Sequence, residues 1–159
     1  MLSHYELAHK VGQALLTHGL QLATAESCTA GGLGYALTAV PGASHWYAGG
    51  VVSYTYASKQ TLLGVPAALL EQHTAVSQEV AVAMAQGIQQ RLQVEVSIAI
   101  TGIAGPDGGT PSIPVGTVWL AWCVGPQSFS EQCRFEGNRE AIRQAAIARA
   151  LAILSGLKF

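Results

Sequence analysis

Two adjoining patterns between Ser77 and Thr101 constrain this chain most. "QEVAVAMAQGIQQRLQ" carries Val80, Met84, Ile88 and Leu92 at i, i+4, i+8 and i+12, which is one apolar face of a helix that Ser77 is placed to cap. Directly after it, "VEVSIAIT" (Val94 to Thr101) alternates and then becomes continuously apolar. A central strand of a sheet reads that way. A helix feeding a buried strand places the chain in the α/β class.

The rest of the chain repeats the alternation. The spacing of Leu7, Val11, Ala14 and Leu15 predicts an amphipathic helix from about Ser3 to Thr17, stopped at Gly19. "LQLATA" (Leu20 to Ala25) predicts a strand, and "GGLGYALTAV" a helix ended by Pro41-Gly42. "GGVVSYTY" (Gly49 to Tyr56) predicts a second strand, followed by helical "ASKQTLLGV" up to Gly64 and Pro66. "VGTVWLAWCV" and "QSFSEQCRF" predict a hairpin, and Asn138 caps a last helix, "REAIRQAAIARALAIL". The expected sheet is mixed. With 159 residues, half of them hydrophobic, and no repeat or linker, one domain over residues 1–159 is expected.

Charge excludes some functions. Charged residues are 11% of the chain, against roughly 25% in an average soluble protein, and the net charge is -1. The eight Lys and Arg residues form no stripe that would neutralise phosphates, so no nucleic-acid partner is expected. A weakly charged surface favours a subunit interface, hence a homo-oligomer, a dimer or larger. Three cysteines without a CxxC pair suggest neither a disulfide framework nor a metal site, and fit a reducing cytoplasm. The N-terminal residues mix His, Glu and Lys into apolar positions, unlike a signal peptide, and no run nears the ~18 apolar residues of a membrane span.

In open α/β sheets, ligands collect beyond the carboxyl ends of the strands. The segments Glu26 to Gly32, Tyr54 to Lys59 and Gly102 to Pro114 have that position. Ser27 and Thr29 read either as helix caps or, for Ser27, as a nucleophile that needs a base. None of the five His residues lies in a catalytic motif, and Asp107, the one Asp, sits in a Gly-rich turn. That weakens a Ser-His-Asp arrangement. Lysine is the alternative base if its pKa is depressed, which makes Lys59 the candidate, although a lone Lys in "SYTYASKQTLLG" also reads as a surface residue. Cys28 reads as a competing nucleophile or as packing. "GIAGPDGG" allows close backbone approach to a ligand. Arg139 and Arg143, on the first turns of the last helix, point to an anionic partner or to pairing with Glu136 and Glu140.

"AESCTAGG", "VPGASHWYAGGVVSYTYASK", "HTAVS", "TGIAGPDGG", "PVGTVW" and "FEGNREAIR", in this order, resemble the CinA C-terminal domain family, the nicotinamide mononucleotide deamidases. The resemblance runs from about Tyr5 to Leu154. It implies a three-layer α/β/α sandwich and a homo-oligomer. It also implies hydrolysis of the nicotinamide mononucleotide carboxamide to nicotinic acid mononucleotide and ammonia, with no metal or other cofactor.

Carried onto this chain, the family roles make Ser27 the nucleophile and Lys59 the general base, with Tyr54 relaying or orienting. Arg139 is a supporting site residue, suited to the phosphate or ribose end. Of the other expected substrate-binding residues, the Thr29, Ala30 and Gly31 N–H groups would hold the oxyanion or the substrate phosphate, and Thr101 and Gly102 would line the pocket. Three departures stand out. The family's Thr-Gly-Gly is Thr29-Ala30-Gly31 here, its Tyr-Ser-Asn-Glu is Tyr54-Thr55-Tyr56-Ala57, and its Gly-Asp-Arg is Gly137-Asn138-Arg139. They motivate a second expectation, a catalytically silent or retuned paralogue that binds a nucleotide or a partner protein.

Overall fold

A computed structural model describes the whole chain, Met1–Phe159. Its elements run α1 (His4–His18), β1 (Leu22–Glu26), α2 (Gly32–Thr38), a 3-10 turn (Ala43–His45), β2 (Tyr47–Val52), α3 (Tyr56–Leu63), α4 (Ala67–His73), α5 (Gln78–Leu92), β3 (Val96–Gly102), β4 (Thr117–Val124), β5 (Gln127–Arg134) and α6 (Arg139–Ser155). The five strands form one mixed sheet in the order β2-β1-β3-β4-β5. β2, β1 and β3 are parallel, whereas β4 and β5 are antiparallel and joined as the expected hairpin.

The strands sort their side chains by size between the two faces. Leu22, Ile98, Ile100 and Leu120 point into a core closed by α1, α2 and α6. Ala23, Ala25, Ala99 and Ala121 point to the other face, where α5 packs with Val80, Met84 and Ile88. The small residues let α5 approach closely, and the buried Ser97 hydroxyl donates to the Ala85 carbonyl of α5 at 2.7 Å. Each of the large aliphatic side chains contributes about 1.5–3 kcal/mol by leaving water. Helices cover both faces, giving the three-layer α/β/α sandwich.

Local hydrogen bonding moved some boundaries. The second strand ends at Val52 rather than Tyr56, because Thr55 and Ser58 form a reciprocal cap: Thr55 Oγ1 accepts from Ser58 N at 3.1 Å, and Ser58 Oγ accepts from Thr55 N at 3.0 Å. That cap draws Tyr56 and Lys59 into a helix. Pro66, expected only to end α3, is also the N-cap of the unanticipated α4. α2 stops at Thr38, whose hydroxyl bonds back to the Gly34 carbonyl at 2.9 Å.

The chain leaves β1 through α2 on one face to reach β2, then crosses the other face through α3, α4 and α5 to reach β3. The carboxyl end of β1 is therefore the point where the winding reverses, the place where an open α/β sheet leaves a crevice. Glu26 pairs there with Val52 and Ile100, so the segments following all three strands converge.

Candidate active site

At this crevice the first residue after β1 is Ser27. Its N–H donates to the Ile100 carbonyl at 3.0 Å, which anchors the residue to β3, and only 7% of it is exposed. Lys59, in the first turns of α3, is 1% exposed and donates from Nζ to Ser27 Oγ at 2.9 Å. The same Nζ donates to the Ser53 carbonyl at 2.6 Å and the Tyr54 carbonyl at 3.4 Å. All three acceptors are uncharged oxygens, and no carboxylate pairs with Lys59. Burial therefore pushes the ammonium below the usual lysine range, to about 8, against a small opposing influence of Cys28.

The neutral amine fits this cage as well as the ammonium does. Two N–H bonds satisfy the two carbonyls, and the lone pair faces the Ser27 hydroxyl, which can donate to it. The surface reading of Lys59 is thus corrected. So is the capping reading of Ser27 and Thr29: the N-cap of α2 is Gly31, without any side-chain cap bond.

The turn after Ser27 is tight. Ala30 (φ 49°) and Gly31 (φ 94°) are both left-handed. The Ala30 N–H closes the turn on the Ser27 carbonyl at 3.1 Å, and Gly32 N–H donates to the Thr29 carbonyl at 2.9 Å. The N–H groups of Cys28 and Thr29 meet no protein acceptor although both residues are buried. Such groups are costly to leave unpaired and suit an oxyanion arriving at Ser27. Of the expected binding residues in this turn, Thr29 and Gly31 keep free N–H groups, whereas the Ala30 N–H is occupied. Arg143 steadies the turn by donating from Nε to the Cys28 carbonyl at 3.1 Å. Burial pushes the Cys28 thiol up to about 11, so it stays protonated and serves as packing.

The cleft above Ser27 holds about 220 Å³ and is lined by Ser27, Cys28, Tyr54, Lys59, Thr101 and Arg139, together with Ala75, Val76, Gly102 and Ala104. A larger groove of about 470 Å³ beside Trp46 lies elsewhere and contains neither Ser27 nor Lys59. Arg139 reaches in from the start of α6, donating to the Gly105 carbonyl at 2.8 Å and the Tyr54 hydroxyl at 3.1 Å. It has no carboxylate partner, which leaves a positive charge facing the cleft. The Tyr54 hydroxyl is thus tied to Arg139, and it is the Tyr54 carbonyl that touches Lys59. Thr101 Oγ1 donates to the Ala75 carbonyl at 2.9 Å, fixing the Ala75–Val76 lining to the end of β3. No group of three or more His, Cys, Asp and Glu side chains is arranged to share a metal ion.

Two of the three departures noted in the sequence have local explanations, whereas nothing in the structure explains Ala at the left-handed position 30. The Tyr56 hydroxyl accepts from Ala75 N at 3.1 Å, bracing the wall rather than filling the cleft. Asn138 Oδ1 caps α6 by accepting from Ala141 N at 2.9 Å. Sequence reasoning assigned no site role to Ala75 and Val76, although both lie in "HTAVS", one of the segments that carry the family resemblance. It also gave no role to Glu26, although a carboxylate ending the apolar strand "LATAE" must find partners.

Known proteins resemble this chain over nearly its whole length. The profile of the CinA C-terminal domain matches residues 4–157. The chain is 49% identical to the nicotinamide-nucleotide amidohydrolase PncC of Pseudomonas putida, over 91% of either chain. It is 52% identical to a CinA-like protein of Parasynechococcus marenigrum, but covers only 35% of that longer protein. Among solved structures, a competence damage-inducible protein of Klebsiella pneumoniae superposes with a TM-score of 0.94 at 38% identity, over 97% of this chain and 96% of that one. A CinA superfamily protein of Escherichia coli gives 0.94 at 40% identity, over 98% and 91%. With nearly its whole length inside the profile and relatives this similar, the chain belongs to the CinA C-terminal domain family.

Proposed function

We propose that this chain is an amidohydrolase that converts nicotinamide mononucleotide to nicotinic acid mononucleotide and ammonia in pyridine nucleotide salvage, using Ser27 and Lys59. The observation that carries the reading is the 2.9 Å contact between Ser27 Oγ and a buried lysine without a carboxylate partner. The similarity to PncC supports the substrate.

Neutral Lys59 takes the Ser27 proton as Oγ attacks the carboxamide carbon. The negative charge develops on the former carbonyl oxygen, and the Cys28 and Thr29 N–H groups, which have no protein acceptor, are the donors assigned to it. The Lys59 ammonium returns the proton to the amide nitrogen, the C–N bond breaks and ammonia leaves. Lys59 then takes a proton from water as its oxygen attacks the Ser27 ester, and the Ser27 oxygen regains a proton as the carboxylate product leaves. Arg139 holds the substrate phosphate, and Tyr54 orients Arg139 rather than relaying a proton. Thr101 and Gly102 line the end of the cleft nearer the carboxamide.

The molecule is expected to work in the cytoplasm as a homo-oligomer. No helix is long and apolar enough to cross a membrane. Exposed Tyr5, Leu16 and Tyr35 offer apolar surface for contact between copies.

Incubation with nicotinamide mononucleotide tests the reading: one ammonia and one nicotinic acid mononucleotide should form for each substrate consumed. A protein that binds the nucleotide and leaves the carboxamide intact would be the silent paralogue.

A further inference from the structure

Glu26 is the one buried carboxylate that the proposed mechanism does not use. Only 2% of it is exposed, and no cation pairs with it. Its Oε1 accepts from Thr29 Oγ1 at 2.6 Å and from Leu33 N at 2.9 Å, and its Oε2 accepts from Gly34 N at 3.0 Å. The carboxylate therefore does what the side-chain-free N-cap, Gly31, cannot: it satisfies the first-turn N–H groups of α2. The turn Ser27–Gly31 wraps around it.

The wrapping is close. A Cβ at Gly34 would lie 2.9 Å from the Tyr47 hydroxyl and 3.6 Å from Glu26 Oε2, so only a glycine lets the helix start seat on the carboxylate. Tyr47 is itself held by Thr24, with 2.6 Å between their hydroxyl oxygens. The backbone of Glu26 is fixed as well, since its carbonyl accepts from Ser53 N at 2.8 Å, and Ser53 is the residue whose carbonyl receives Lys59.

We infer that Glu26 is a positioning residue for the reaction: through Thr29 it sets the orientation of the Cys28 and Thr29 N–H groups that meet the oxyanion. The inference rests on Ser27 being the nucleophile. The carboxylate does not touch the substrate, and its charge is offset by three donors at a helix start. Free rotation of the Thr29 peptide would cost the site the preorganisation that makes such donors effective, an effect of roughly 10²–10³-fold per donor in other hydrolases.

The test is Ser27 acylation by p-nitrophenyl acetate, followed by p-nitrophenolate release and protein mass, for wild type, Glu26→Gln, Thr29→Val, Thr29→Ser and the Glu26→Gln/Thr29→Val pair. Glu26→Gln and Thr29→Val should each acylate at least about 10-fold more slowly, with the pH midpoint unchanged. Thr29→Ser, which keeps the donor, should restore the rate, and the double variant should be little slower than either single one. Wild-type acylation rates in Thr29→Val, or in a folded Glu26→Gln, overturn the inference. So does a Thr29→Ser variant as slow as Thr29→Val, or a shifted pH midpoint, which would assign the effect to Lys59. A wild type not acylated on Ser27 removes the nucleophile and the inference with it. An acylated wild type that leaves nicotinamide mononucleotide intact sinks only the choice of substrate.

Discussion

Arg139 and Tyr54, 85 residues apart in sequence, meet at the cleft mouth, where the guanidinium donates to the phenol oxygen at 3.1 Å. A second donor goes to the Gly105 carbonyl at 2.8 Å, so the guanidinium plane is fixed without neutralising its charge. A guanidinium held by neutral oxygens is ready for an anion, because binding one breaks no ion pair.

Arg139→Ala should therefore raise KM for nicotinamide mononucleotide by roughly 10- to 100-fold, corresponding to the 1.5–3 kcal/mol of a charge-assisted hydrogen bond, and change kcat little. Arg139→Lys should recover part of the loss. Steady-state kinetics on both variants checks this, and an unchanged KM would place the phosphate elsewhere.

The reaction should depend on pH through Lys59. Burial lowers the pKa of its ammonium to about 8, and the proposed mechanism uses the neutral amine as base. Below that value kcat/KM should fall about tenfold per pH unit, and above it level off. An ascending limb centred on an ordinary carboxylate value would remove Lys59 from the role of base.

Lys59 also links to stability. Depression from 10.5 to about 8 costs the folded state about 3 kcal/mol at neutral pH. The unfolded chain binds the extra proton between those two values, so this penalty is full below about pH 8 and disappears as pH rises toward 10.5. Lys59→Met removes the penalty but leaves carbonyls unpaired at about 1 kcal/mol each. The variant should be inactive, and it should lack the gain in stability that the wild type shows between about pH 8 and pH 10. Urea denaturation at pH 7 and pH 9.5 measures the difference.

Cys28 borders Ser27 in the cleft, but its thiol is pushed to about 11 by burial. Cys28→Ala should keep activity within a few-fold, with about 1–2 kcal/mol lost from packing. Iodoacetamide should label the thiol slowly at pH 7, and a thiol labelled at the rate of free cysteine would contradict the burial argument.

The α/β class was legible in the sequence because α5 and β3 bury one apolar stripe and one apolar run, which periodicity reports directly. The partnership of Ser27 with Lys59 was not legible from the residues alone. Lys59 sits on a helix with little amphipathic pattern, and the reciprocal Thr55–Ser58 cap that turns it inward resembles an ordinary loop in sequence. The family resemblance supplied that pair. Glu26 escaped because its partners, Thr29 and two backbone N–H groups of α2, exist only once the turn has closed on it.

The most direct measurement is single-turnover ammonia release from nicotinamide mononucleotide at pH 8.5 by wild type, Ser27→Ala and Lys59→Ala, with intact-protein mass after acid quench. The wild type should release ammonia and carry the acyl nucleotide on Ser27, and both variants should lose at least about 10³-fold in rate. Ammonia release by Ser27→Ala at the wild-type rate, with no adduct on the wild type, would contradict the Ser27–Lys59 mechanism.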